Sequence, residues 1–125
     1  MDFIEARYPG RPNIEAYGDG GFRFGGGSHV GALLFLPDGV LSWTPDEPGG
    51  LELSHFEAVF AQKQAISLFL LGSGEALVFP SQEIRRAFAT HGVGLEVMNT
   101  GAACRTYNVL LSENRAVAAG VLPVE

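Results

Sequence analysis

The feature that most constrains the fold is a mainly apolar run at residues 65–71, which ends in the small residues Gly72, Ser73 and Gly74. The run is too short to cross a bilayer as a helix. A strand that is apolar on both of its faces is typical of a parallel sheet that helices cover on each side. The run therefore predicts a strand that is buried on both faces of such a sheet, with a tight turn at its carboxyl end.

The segments before this run have the pattern of short antiparallel strands joined by tight turns. Glycines at residues 25–27 permit a sharp bend. Pro37-Asp38-Gly39 is a strong hairpin signal between two apolar stretches. This part of the chain is therefore predicted to form a β-hairpin region. Its predicted strands are residues 14–17, 22–24, 29–36 and 40–44.

The segments after residue 44 alternate between helix and strand patterns. Ser54 and Glu57 have the spacing of a capping box, which predicts the start of a first helix. Gly92 is a good terminator for a second helix. The second and third helices are predicted over residues 80–92 and 99–114, and further strands over residues 76–79, 94–98 and 115–122.

This order of elements predicts an α/β fold. We expect a central mixed β-sheet with helices packed around it, together with an N-terminal β-hairpin region. A length of 125 residues fits one compact domain. Residues 1–12 contain mixed charges and two prolines, so they are predicted to be a flexible arm, and residues 13–125 are predicted to be the domain.

The charge balance limits the classes of partner. The chain has 8 basic and 14 acidic residues, which gives a net charge of -6. The basic residues form no run, and Arg85-Arg86 is the densest pair. Because phosphate binding needs several clustered cations, no nucleic-acid partner is expected. The acidic excess would also repel an anionic membrane surface, and no membrane span is expected.

The cysteine content and the first residues indicate the compartment. Cys104 is the only cysteine, so an intramolecular disulfide is impossible and a reducing compartment fits. Asp2 and Glu5 stand where a secretory signal needs bases and an apolar stretch. The prediction is a cytoplasmic protein.

Motifs for cofactors and metals are incomplete. The stretch that begins at Gly72 starts like a dinucleotide fingerprint, but it lacks the third glycine and the helix that should follow. His29, His55, His91 and Cys104 lie on separate predicted elements without the short spacings of a metal site. Neither a cofactor nor a metal is expected, and nothing pairs Cys104 with a histidine as a catalytic nucleophile.

The densest polar chemistry lies at residues 99–108, where a strand leads into the third helix and Asn99 or Thr100 would cap it. Helix amino termini attract anions. If the strand at residues 65–71 is parallel and adjacent, its carboxyl end opens at the same edge, where ligands of such sheets bind. Alternatively, Thr100 only caps the helix, and Arg105 pairs with Glu113 or Glu96. The candidate binding residues are Gly72, Ser73, Gly74, Thr100, Cys104, Arg105 and Asn108, of which the last three are predicted to cluster on the flank opposite the apolar stripe Ala103, Tyr107 and Leu110.

Residues 96–113, Glu-Val-Met-Asn-Thr-Gly-Ala-Ala-Cys-Arg-Thr-Tyr-Asn-Val-Leu-Leu-Ser-Glu, resemble the signature of a family of small single-domain proteins. Its mitochondrial member is respiratory complex I assembly factor 3. Residues 14–24, Trp43, residues 70–74 and residues 115–123 agree with this resemblance, which covers nearly the whole chain. It implies a mixed sheet with surrounding helices. The eukaryotic member resembles a non-catalytic chaperone for assembling complex I, whereas the bacterial members are uncharacterised. The resemblance supplies no catalytic residues, and Asn99 stands where the family is expected to have aspartate.

Two functions follow as hypotheses. The first is a non-catalytic assembly or scaffolding protein that binds other proteins, among them respiratory-complex subunits or assembly factors. It predicts an exposed apolar patch. The second is a protein or enzyme that binds a small anion in the crevice formed by residues 72–74 and 100–108. The absence of a complete catalytic set favours the first hypothesis. A homodimer would be the commonest oligomer.

Overall fold

The structure is a computed structural model that describes residues 7–125. These residues contain nine strands and three α-helices. Six strands form one sheet, and three form a second, antiparallel sheet. The strands are β1 (Arg7–Tyr8), β2 (Ile14–Gly18), β3 (Gly21–Phe24), β4 (Gly27–Val30), β5 (Leu33–Leu36), β6 (Gly39–Ser42), β7 (Leu68–Gly72), β8 (Gly94–Met98) and β9 (Val117–Val121). The helices are α1 (Glu57–Ala61), α2 (Gln82–His91) and α3 (Thr100–Ser112).

The large sheet is mixed and has the strand order β1-β6-β5-β9-β7-β8. Strand β7 lies between β8 and β9 and runs parallel to both. The remaining pairs are antiparallel: β9 pairs with β5, β5 with β6, and β6 with β1. The predicted buried strand of a parallel arrangement is therefore confirmed, although it begins at Leu68, because Lys63–Ala65 form a 3-10 turn.

Each face of the large sheet carries its own apolar cluster. On one face Phe69 of β7 packs with Phe56 and with Phe88 of α2, with ring centroids 5.9 and 5.3 Å apart. On the other face Phe35 of β5 packs against Tyr107 of α3 at 5.3 Å. The small sheet closes this second face. The predicted α/β class, with a central mixed sheet, helices around it and an N-terminal hairpin region, is confirmed.

The single strand predicted over residues 29–36 is wrong, because the chain divides it between the two sheets. Strand β4 pairs with β3 in the small sheet, and β5 pairs with β6 and β9 in the large one. Gly31 lies at the break with a φ of 99°, which a side chain would strain. Val30, the residue before it, is 82% exposed. The apolar pattern of this segment therefore does not show that its residues belong to two different sheets.

The predicted capping box of Ser54 and Glu57 is also wrong. The box forms two residues earlier, between Glu52 and His55, at a 3-10 turn that leads into α1. The Glu52 backbone N–H donates to His55 Nδ1 at 2.9 Å. An imidazole nitrogen thus takes the acceptor role that a glutamate fills in the usual motif.

The other helix boundaries agree with the sequence. Asn99 caps α3, since its side chain accepts a hydrogen bond from the Ala102 N–H at 2.8 Å. Gly92 ends α2 with a φ of 73°, and Asn114 follows α3 with a φ of 58°. Both residues tolerate this left-handed conformation.

The arm predicted over residues 1–12 lies partly outside the described residues, which begin at Arg7. Arg7–Tyr8 pair with β6, and the Tyr8 ring contacts Phe24 edge-on at 4.9 Å. The Arg11 guanidinium donates to the Val117 carbonyl at 2.7 Å. Residues 7–12 therefore lie against the domain, and a domain boundary at residue 12 stays a prediction.

Candidate functional site

Thr100 joins three segments at the carboxyl edge of the parallel strands. Its hydroxyl donates to the Leu122 carbonyl at 2.7 Å and accepts from the Gly74 N–H at 2.9 Å. Its own N–H donates to the Gly74 carbonyl at 2.8 Å. The structure thus brings the turn after β7 to the start of α3. Because Thr100 is completely buried, its hydroxyl is committed to these bonds and cannot meet a ligand.

Gly72 lies where β7 passes closest to α3. A Cβ atom at this position would stand 3.0 Å from Thr100 Cα and 3.1 Å from Ala103 Cβ. These distances are shorter than ordinary van der Waals contacts, so only glycine fits without a shift of the helix. Gly72 is therefore explained by close packing.

Ser73 fixes the loop that follows β7. Its buried hydroxyl donates to the Ala76 carbonyl at 2.7 Å and accepts from the Val78 N–H at 2.9 Å. The Ser73 N–H donates to the Met98 carbonyl at 2.9 Å. The hydroxyl thus ties the middle of the loop to its own start, while the backbone ties that start to β8.

Residues 76–79 form no strand, contrary to the prediction, because the Ser73 hydroxyl holds them in an irregular loop. Leu77, Val78 and Phe79 are 54%, 40% and 61% exposed. We call these three residues the apolar triplet. Sequence reasoning missed the exposure of the triplet because three consecutive apolar residues favour a strand. No local pattern distinguishes the loop from a strand, because the loop depends on the hydrogen bonds of the Ser73 hydroxyl.

Cys104 is a buried thiol. The side chain is buried within the apolar cluster beneath α3, and burial raises the pKa of its thiol to about 12, while the nearby Arg105 charge opposes the rise. The reactive thiolate is therefore suppressed at neutral pH. Within residues 7–125, no three His, Cys, Asp or Glu side chains come together in a way that could hold a metal ion.

Asn108 connects α3 to the small sheet. Its side-chain nitrogen donates to the Ile14 carbonyl at 2.9 Å, and its side-chain oxygen accepts from the Ile14 N–H at 2.8 Å. The predicted polar flank of Cys104, Arg105 and Asn108 is therefore wrong. The small sheet packs over one side of α3, where Cys104 is buried and Asn108 is partly buried, so Arg105 is the only exposed residue of the three.

Arg105 lies beside an open depression of about 310 Å³ at the start of α3. Among residues 7–125 it pairs with no carboxylate, so the alternative pairing with Glu96 or Glu113 does not form. The Tyr17 hydroxyl, which sequence reasoning did not place here, packs directly over Gly101. Glu75 and Glu125 also line the depression, and their charges oppose an anion there. The lining residues are Tyr17, Gly74, Glu75, Asn99, Gly101, Arg105, Val124 and Glu125.

Comparison with known proteins identifies the family. Residues 14–122 match the model of a family described as protein of unknown function (DUF498/DUF598). The chain belongs to this family. An uncharacterized protein of Rhodobacter capsulatus is 35% identical over 120 residues, which cover 96% of this chain and 91% of that protein. The resemblance inferred from residues 96–113 is thereby confirmed at the level of the family.

Relatives in animals have names that state a function. The NADH dehydrogenase [ubiquinone] 1 alpha subcomplex assembly factor 3 of Xenopus tropicalis is 29% identical over 110 residues. The same factor of Homo sapiens is 26% identical over 110 residues. In both comparisons the match covers 88% of this chain and 60% of the relative. The family domain is therefore only part of those longer proteins.

Solved structures of family relatives have the same fold. A protein of Bartonella henselae, described as an outer membrane protein, superposes with a TM-score of 0.91 at 38% identity and covers 94% of this chain and 99% of its own. A protein of Rhodopseudomonas palustris superposes with a TM-score of 0.83 at 39% identity, covering 98% and 90% respectively. In the present chain, none of the helices within residues 7–125 has the length and apolarity needed to cross a membrane.

Proposed function

We propose that this protein is a non-catalytic assembly or scaffolding protein that acts by binding other proteins. The observation that carries the proposal is the apolar triplet. Isolated exposed apolar residues are normal on a protein surface, whereas a contiguous apolar patch marks an interaction site. Leu77 and Phe79 each expose more than half of their surface.

The way in which the triplet is held supports this role. The Ser73 hydroxyl bonds the Ala76 carbonyl and the Val78 N–H, so the loop is ordered before a partner arrives. A surface that is already ordered loses little conformational entropy on binding. Covering an apolar side chain gains about 25 cal/mol for each Å² removed from water. The triplet is thus suited to anchor a protein partner.

The relatives indicate the class of partner. The two animal relatives are named as assembly factors for a respiratory NADH dehydrogenase, and the domain they share with this chain contains the triplet region. The proposed partners are therefore respiratory-complex subunits or their assembly factors. We place the interaction in the cytoplasm, where the lone buried thiol of Cys104 would stay reduced. A homodimer remains the simplest oligomer for such a protein.

Affinity capture with matched variants tests this function. A tagged chain and its Leu77→Ser/Phe79→Ser variant are used to capture proteins from a native lysate of the source organism. Val109→Ser is the control, because Val109 is 55% exposed on α3 and so resembles Leu77 in exposure. The expected result is capture of identified NADH dehydrogenase subunits or assembly proteins by the wild type and the control but not by the double variant. Equal capture by all three forms would contradict the proposal.

A small anion at Arg105 is the second candidate function. The observation in its favour is that this exposed guanidinium has no acidic partner among residues 7–125 and stands beside the amino terminus of α3. Inorganic phosphate should then raise the thermal midpoint of the wild type and not that of Arg105→Ala. If phosphate shifts both forms equally, Arg105 holds no anion.

A further inference from the structure

Strand β8 is the last strand of the large sheet, and only β7 pairs with it among residues 7–125. The Gly94 N–H donates to the Ser67 carbonyl at 3.0 Å, and the Met98 carbonyl accepts from the Ser73 N–H at 2.9 Å. Both ends of β8 thus direct these backbone groups towards β7. Backbone groups alternate in direction along a strand. The N–H and C=O groups of Leu95 and Val97 therefore point away from the sheet.

This outer edge is open to an added strand. Leu95 and Val97 are half-buried, and their side chains pack against the apolar cluster that includes α2. Glu96, between them, is exposed, and its side chain projects from the opposite face of the sheet. The edge thus offers two donors, two acceptors and two apolar side chains, with one carboxylate at the centre. Unpaired edges of this kind are templates for another strand.

We propose that β8 receives an extended segment of a partner protein as an antiparallel strand, with a basic residue of that segment opposite Glu96 and apolar residues on either side. The proposal rests on the proposed function and specifies how the partner binds. The N–H and C=O groups of Glu96 point towards β7. Glu96 would therefore form a non-hydrogen-bonded pair with the residue opposite it on the added strand. Side chains are closest in such pairs, with Cα atoms about 4.5 Å apart. A lysine or arginine there would neutralise the carboxylate.

The same carboxylate disfavours a second copy of this chain as the occupant. Antiparallel pairing that uses both Leu95 and Val97 of each copy places Leu95 opposite the second copy's Val97. Glu96 then stands directly opposite the second copy's Glu96. Like charges in that position are destabilising. Registers that avoid this contact use only one of the two outward-facing residues in each copy, so β8 favours a foreign, basic strand over self-pairing.

A pair of short peptides tests the proposal. Each has five residues, with a lysine or a glutamate at the centre between two valines and a threonine at each end. They are added at millimolar concentration to the labelled full chain, and amide NMR spectra are recorded. The lysine peptide should shift the Leu95 and Val97 amide signals, slow their hydrogen exchange, and bind roughly threefold more tightly than the glutamate peptide. Absence of these changes with both peptides would overturn the proposal.

Two variants make the test specific. Val97→Pro removes an N–H that points away from β7, so the sheet should fold while strand addition fails, since proline is tolerated on edge strands. Glu96→Lys should reverse the peptide preference, and it keeps the test decisive if the proline variant does not fold. Equal binding of both peptides to wild type and Glu96→Lys would exclude recognition by Glu96. If the wild type binds neither peptide but still captures its partner through the triplet, this inference is overturned and the proposed function stands.

Discussion

At the scale of single residues, hydrogen bonds and close packing hold the start of α3 against the carboxyl edge of the sheet. The Thr100 hydroxyl bonds both Leu122 and Gly74, and the absent side chain of Gly72 lets α3 lie directly on β7. These residues have the identities expected of a ligand site, namely glycines and a hydroxyl at a helix start. Their polar atoms are used internally, so they fix the strands from which the Ser73 loop emerges.

Gly72→Ala tests this packing role. The added methyl group would stand 3.0 Å from Thr100 Cα, and because that atom is backbone, helix and strand must separate. We expect a loss of about 1–3 kcal/mol in the free energy of unfolding, as for other overpacked cores. Urea denaturation measures it. Gly49→Ala is the control, since its Cβ would meet only Glu47 Oε1 at 3.9 Å. Equal stability of the two variants would contradict the packing role.

His29 should make the stability of the fold depend on pH. Burial lowers the pKa of its imidazole below 6.5, and Nδ1 is bonded to the Tyr8 hydroxyl at 3.1 Å. Between pH 6.5 and the lower folded-state pKa, the unfolded chain binds more protons than the folded chain, so stability falls as pH falls through that window. Thermal midpoints of wild type and His29→Gln, measured from pH 7 to pH 5, check this. The wild type should lose more stability than the variant, and parallel curves would refute the assignment.

At the scale of elements, the sequence predicts regular segments better than the changes of direction between them. Strand β8, helix α2 and the Asn99 cap of α3 agree because periodicity and capping residues are local signals. The division of residues 29–36 between two sheets was missed because the change of sheet at Gly31 depends on which strands pair in the folded chain, and no local pattern shows that. The loop at residues 76–79 was missed because its shape depends on one side-chain hydroxyl.

The candidate site could also be predicted only in part from local sequence patterns. That the turn at Gly74 meets the start of α3 follows from parallel strands, and the sequence suggested it. Which side of α3 is buried depends on where the small sheet packs, and no local pattern encodes that. Asn108 was therefore predicted on an exposed flank, although it bonds Ile14 across the interface.

Asn108→Ala tests this connection between elements. The change leaves the N–H and carbonyl of Ile14 without their partners in a partly buried position, which costs about 1–3 kcal/mol. We expect lower stability and faster amide exchange in β2 and β3 than in β7. Thr106→Ala on the same helix is the control, because the Thr106 side chain makes no hydrogen bond within the described residues. Uniform exchange rates in both variants would argue against a role in docking the small sheet.

At the scale of the whole molecule, the two faces of the large sheet are covered and its β8 edge is open. The helices α1 and α2 close one face, and α3 with the small sheet closes the other. The apolar triplet emerges from the carboxyl end of β7, beside the end of β8, to which Ser73 is bonded. The two proposed binding surfaces therefore adjoin each other on the β8 side of the sheet, and they favour the proposed assembly role over an anion site at Arg105.

Site-specific crosslinking in living cells tests directly whether the apolar triplet binds a protein partner. A photoreactive phenylalanine analogue replaces Phe79 in one strain and Val109 in another, both being exposed apolar positions. We expect a crosslink from position 79 to an identified respiratory-complex subunit or assembly protein and none to the same protein from position 109. Crosslinks of equal yield from both positions, or no crosslink from position 79, would contradict a role of the triplet in binding.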